Sequence, residues 1–352
     1  MLPEEWPIAA NAGDPNAPAR HAGRGRLATA RADFFLNPAE RLTEQERALM
    51  TAMLHCLVGD IADEIRGALP GGTIAANDEP GLSLIDTLSD SRLLDRAALV
   101  RLLLRRADEE RISTASNARS GRREARALQG LVSHGDGAIA AAAMSLILAR
   151  GRRRDRFGQC LLHFDDLSAE EGRILVHCVC AGLRGDLVRH YGAAEADRML
   201  SAAAIDVLAS HDPGNGIDAV TANLVRLLDE ENALTDDLMI AAGMEGEMTF
   251  ISQALSRRSG IGPSLALDEL LSGDERRAMT ILRAAGVSRQ VAASLLAGIG
   301  DLLDIPDAGR AIDMFDRIST AEIEDARAWL TSDAAYREAV TALEAPNGQR
   351  AL

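Results

Sequence analysis

The chain has 352 residues, with 38 basic against 53 acidic, a net charge of −15 and a pI near 5.0, a balance that argues against general nucleic-acid binding. All 38 basic residues are arginine, which excludes P-loop, kinase-type and Schiff-base lysines and the enzyme classes that need them. Hydrophobic residues make up 47% but aromatics only 3%, so the core must come from Leu, Ile, Val, Ala and Met, a set suited to helix–helix packing.

Residues 1–27 are rich in Pro and Gly and read as a flexible lead-in. Leu27–Leu36 is a candidate short helix carrying Phe34 and Phe35. A long helix is expected over 43–68, stopped at Pro70-Gly71-Gly72, and a short one near Leu82–Leu88. Leu93–Arg111 reads as amphipathic, with Leu99, Leu102 and Leu103 inward and Arg101, Arg105 and Arg106 outward. Ser113–Gly121 reads as polar and weakly helical, a candidate linker. Arg122–Ser133 and Ala138–Arg150 should form a hairpin whose second arm, almost all Ala, Ile, Leu and Met, is fully buried. A further helix runs on to His163 after the RGRRRDR turn at Arg150–Arg156. Helices follow over 168–190, 193–210, 216–230, 235–242, 247–256, 264–271, 274–285, 288–298, 308–317, 319–330 and 332–343. The longest apolar run, Ala138–Ala149, is too short to span a bilayer. The N-terminus has acids where a signal peptide needs basic residues. The four cysteines lie within apolar helical pattern and read as buried free thiols. A cytoplasmic chain is expected.

Several features recur at an offset of 125 or 126. Thr43-x-x-Glu46 and Ser168-x-x-Glu171 are both capping-box patterns. Gly59-Asp60 answers Gly185-Asp186, and the LVRLL of Leu99–Leu103 returns at Leu224–Leu228. Ser272-x-x-Glu275 and Ser319-x-x-Glu322 give the cap again. The pattern predicts an all-α chain of stacked helical hairpins, a HEAT- or armadillo-like α-solenoid with an internal duplication of about 125 residues. The expected division is a flexible segment over 1–27, helical units over 28–164 and 165–300, capping helices over 301–345 and a frayed tail over 346–352.

Three stretches carry a family resemblance: Arg31-Ala-Asp33-x-Phe35, Leu42-Thr-Glu-x-Glu-Arg47 with Val58 to Arg66, and Leu282-Arg-Ala-Ala-Gly286-Val287. Together they resemble an all-helical domain of unknown function widespread in alphaproteobacteria, over most of residues 27–300. Members tend to carry a basic, His-containing strip after the LVRLL-type helix, where this chain reads ADEERISTASNARS. The resemblance implies a HEAT-like helical repeat in a bacterial regulatory or scaffolding setting. It lends no activity and no site residues.

No catalytic motif stands out. Cys178-x-Cys180 on a helix would point its thiols roughly 200° apart, which is poor for zinc. His211-Asp212 before Pro213 reads as a turn, and His163, Asp165 and Asp166 as a helix-start cluster. The prominent surface is an arginine belt: Arg119, Arg122, Arg123 and Arg126, then Arg150, Arg152, Arg153, Arg154 and Arg156. Residues 101–156 carry a local +7 in an otherwise acidic chain. The belt either neutralises acids of the same molecule, holds an acidic protein partner, or binds a nucleotide or nucleic acid. The expected function is a non-enzymatic scaffold or adaptor for a protein partner, without metal or cofactor, and homo-oligomerisation is open. The alternatives are a metal-dependent hydrolase using His and Asp, and a sensor of an anionic nucleotide or nucleic acid at the belt.

Overall fold

The computed structural model describes residues 42–70, 84–120, 127–156 and 158–344. The expectations for 1–41, and for Arg122, Arg123 and Arg126, fall outside them. By compactness the chain divides into Met1–Arg47 and Ala48–Leu352. Of the first unit only 42–47 are described, and there Thr43 forms its capping box: Thr43 N–H donates to Glu46 and Glu46 N–H donates to Thr43 Oγ1.

Fifteen α-helices lie among the described residues: α1 Glu44–Ala68, α2 Leu84–Asp90, α3 Ala97–Ser120, α4 Gly137–Arg152, α5 Ala169–Tyr191, α6 Ala193–Ser210, α7 Ile217–Glu230, α8 Asp236–Met244, α9 Met248–Ser259, α10 Pro263–Leu270, α11 Glu275–Ala284, α12 Arg289–Ile299, α13 Ala308–Arg317, α14 Thr320–Leu330 and α15 Ala334–Glu344. The one β feature among them is an isolated bridge between Arg154 and Cys160. None of these helices is long and apolar enough to cross a membrane. Side-chain caps start most of them. Asp136, Ser168, Thr235, Asp274, Ser288, Asp307 and Ser319 each accept from a first-turn N–H, a contact worth about 1 kcal/mol apiece.

Packing repeats along the chain. Consecutive helices pair as α5 with α6, α8 with α9, α9 with α10, α10 with α11, and α12 with α13. Longer steps join α4 to α7, α7 to α9, α8 to α12 and α11 to α13. This all-helical, repeatedly paired architecture is consistent with a helical-repeat fold. Within the second unit the apolar side chains form two cores. One gathers α1, α2, the first half of α3, the 160–167 segment, α5 and α6. The other gathers Ile112 of α3, Leu128, α4 and α7–α14. Helix α3 therefore runs from one core into the other, and α4 joins helices that follow it by more than sixty residues.

Four local readings are corrected. Over 113–120 the helical reading holds and the linker reading does not: α3 continues to Ser120, with Ile112 and Ser116 buried. The 122–133 arm yields only a 3-10 turn at Gln129–Ser133 in its described part. No helix reaches His163, and the chain turns back through the Arg154–Cys160 bridge instead. Helix α4 is not fully buried: Met144 is 43% and Leu148 62% exposed. Its inner face carries Ile139, Ala142, Ala143, Leu146 and Ala149, and a helix touching the core on one side leaves its other side to solvent whatever its composition.

Candidate functional site

Arg119 of the belt lies in the last turn of α3, and its second group starts in the last turn of α4 with Arg150 and Arg152, where cations face the negative end of the helix. The structure gives most of its members an internal carboxylate. Arg119 donates to Asp301 at 2.7 Å, Arg154 to Glu110 at 3.0 Å, and Arg150 contacts Glu247. Arg153 Nε stands 3.4 Å from Asp166, and Arg152 lies 3.9 Å from Asp165 while donating to the Asn215 carbonyl at 3.0 Å. Arg156 is exposed. Four of these five carboxylates lie outside 101–156, so the local positive charge is balanced largely by acids brought in from other helices and turns.

Arg105 and Arg106 do not both face outward as their helical positions imply. Arg106 is fully buried, donating to Glu109 at 2.7 Å and standing 2.9 Å from Asp218, while Arg105 also contacts Asp218. Burial works against the Arg106 charge, but Glu109, Asp218 and Asp166 outweigh it and keep the guanidinium ionised. Burial likewise raises the Asp218 carboxyl, and the facing Arg106 and Arg105 overcome this and hold it down at about 2. A depressed carboxylate stabilises the fold above its unfolded value and loses that contribution as pH falls through its folded value. Between pH about 4 and 2, the wild-type chain is expected to lose more stability than Asp218→Asn, in acid titrations followed by circular dichroism.

A cavity of about 640 Å³ opens beside this cluster, between α3, the end of α4 and the starts of α7 and α9. Arg106 and Glu109 line its inner side, and Arg150, Arg154, Glu110 and Glu247 line it with both signs of charge. Ser113, Thr114, Thr221 and Thr249 add hydroxyls. Burial pushes the Glu247 carboxyl up, and Glu245 and Glu109 add to the rise against the opposing Arg150. The belt arginines are visible in the sequence, whereas of their carboxylate partners only Asp165 and Asp166 stand out there, as a helix-start cluster rather than as partners. In the buried cluster, the i,i+3 spacing of Arg106 and Glu109 and the i,i+4 spacing of Arg105 and Glu109 are the local signals.

The other candidate residues are occupied with the backbone. His163 Nδ1 accepts from Asp165 N–H, Asp165 accepts from Asp212 N–H at 3.0 Å, and Asp166 accepts from Ile217 N–H at 2.8 Å. Asp212 accepts from Gly214 N–H and the Asn215 amide at 2.9 Å. The His211 ring stacks on Phe164 at 4.3 Å, and a Cβ on Gly172 would come within 2.7 Å of that ring. Cys178 Sγ faces the Leu93 carbonyl at 3.9 Å and Cys180 Sγ the Leu200 carbonyl at 3.8 Å, so the two thiols serve different neighbours. Burial pushes the Cys180 thiol to about 11. All four cysteines are free, but Cys56 is exposed and Cys178 half-buried, a correction to their reading as uniformly buried. Among the described residues no three His, Cys, Asp or Glu side chains are grouped to hold a metal.

Residues 85–327 match the family described as "Uncharacterised protein conserved in bacteria (DUF2336)". No curated protein and no solved structure matches the chain.

Proposed function

From the premise that the chain belongs to the DUF2336 family of bacterial proteins, we propose that it is a non-enzymatic scaffold that docks a protein partner on the outer face of α4. The single observation that supports this most is the character of that face. Ala138, Ala141, Met144, Ser145 and Leu148 are all exposed, lie at helical spacing and carry no charge, in a chain where 26% of residues are charged. Exposed apolar side chains scattered singly need no explanation, but an uncharged helix stripe is the kind of surface a partner covers. At the end of the same helix Arg152, 3.9 Å from Asp165 and with 44% of its side chain exposed, gives the stripe a polar rim.

The paired helices are read as a HEAT-like solenoid copied once at an offset of about 125 residues, an architecture that offers long surfaces for such docking. Its setting is regulatory or scaffolding, in the cytoplasm. Affinity capture from a bacterial lysate, quantified by mass spectrometry, tests the docking surface. Leu148→Glu is expected to lose most of the proteins that the wild type retains, whereas Ile205→Glu, an equally exposed change on α6, keeps them. Equal recovery with both variants would remove α4 as the docking face.

A further inference from the structure

The cavity beside Arg106 carries an inference independent of the docking face. Its volume, about 640 Å³, falls in the range of small-molecule sites. Its lining alternates in sign rather than favouring one. Arg150 contacts Glu247, and Arg154 donates to Glu110 at 3.0 Å. On the inner side Arg106 donates to Glu109 at 2.7 Å. Two buried atoms behind that wall, Arg106 Nε and Glu109 Oε1, make no hydrogen bond among the described residues, and Glu109 Oε1 stands 3.9 Å from Arg105 Nε.

This arrangement selects among ligand charges. A polyanion meets Glu109, Glu110 and Glu247 alongside the arginines, and leaves each displaced carboxylate unpaired. A simple cation meets the guanidiniums of Arg150, Arg153 and Arg154, with Arg106 buried behind them. A molecule with one positive and one negative end can enter an existing Arg–Glu pair and pair both partners again, with no change in the charge of the site. A guanidinium receives a carboxylate bidentately, and a glutamate accepts from an ammonium. Among the described residues the lining contains no aromatic side chain on which a nucleobase could stack, and its hydroxyls suit amide and carboxylate groups.

We propose that this cavity binds a small zwitterion of the amino-acid or short-peptide class, with its carboxylate on Arg154 or Arg150 and its ammonium on Glu110 or Glu247. The full chain should be screened by saturation-transfer NMR and titration calorimetry. The probes are the free amino acids and simple dipeptides, each compared with its N-acetyl and C-amide forms, together with inorganic phosphate and ATP. At least one zwitterion is expected to bind, with both blocked forms about tenfold or more weaker. Glu110→Gln and Arg154→Gln sit at the exposed edge of the cavity and should each weaken that zwitterion by a similar factor, with thermal melts confirming an intact fold. Arg154→Lys provides the second check, keeping charge while losing the planar fork, and should bind more weakly than wild type. The proposal is overturned if no zwitterion binds at millimolar concentration, if phosphate or ATP binds where zwitterions do not, if blocking either end has no effect, or if binding is unchanged in all three variants.

Discussion

Arg106→Ala is expected to lose about 3–5 kcal/mol of stability, the range for breaking a buried ion pair by removing one partner. The side chain has 0% exposure and holds two carboxylates, Glu109 and Asp218, from two different helices. Its removal leaves those charges facing one another across a cavity with only Arg105 between them. It also takes away the volume of a large buried side chain, a second and separate cost. The charge part can be isolated. In Arg106→Ala combined with Asp218→Asn the second change should cost less than it does alone, because the carboxylate it removes has already lost a partner. Urea unfolding followed by circular dichroism gives the midpoints. A loss below about 1 kcal/mol for the single variant would mean that the pair is not buried in solution.

Gly246→Ala is expected to cost about 2–5 kcal/mol, from two sources that add. The residue has φ +71°, where an L side chain is strained. An added Cβ would also lie 2.8 Å from Ser113 Cα and 3.0 Å from the Ile112 carbonyl oxygen. Those atoms belong to the backbone of α3 and cannot rotate away, so helix α3 must shift against the α8–α9 turn. Gly260→Ala is the control. Its φ is +77° but nothing lies within 4 Å of the added Cβ, so only the conformational part, about 1–2 kcal/mol, is expected. Thermal melts of the two variants should therefore separate, with Gly246→Ala the lower. Equal melting temperatures would show that the close approach to α3 is absent.

What the sequence made legible was local. Hydroxyl caps followed by glutamate three residues on gave the helix starts at Thr43 and Ser319, because both partners lie within one turn. The same pattern was less reliable where a distant residue competes. Ser168 does cap α5, but the Glu171 carboxylate is taken by Arg96 in a two-bond contact at 2.9 Å, 75 residues away. At Ser272 the expected cap is not the one used. Asp274 caps α11, Ser272 donates to the Glu269 carbonyl, and Glu275 pairs with Arg310. The inward turn of Arg106 was hidden for the same reason: nothing near it in the chain announces Asp218, 112 residues later. The arginine belt was plain from composition, but its carboxylate partners come from turns and helices that only the tertiary fold brings near. Helix α4 shows the converse limit. Its apolar composition read as burial, whereas the fold needs only one side of it, and the exposed remainder became the candidate docking face.

Hydroxyl-radical footprinting of the chain with and without its captured partner tests that face most directly. Met144 on α4 and Met244 at the end of α8 are almost equally exposed, at 43% and 46%, and both oxidise readily to the sulfoxide. The partner is expected to slow oxidation of Met144 severalfold and to leave Met244 unchanged. An unchanged Met144 rate in the presence of saturating partner would contradict docking on α4.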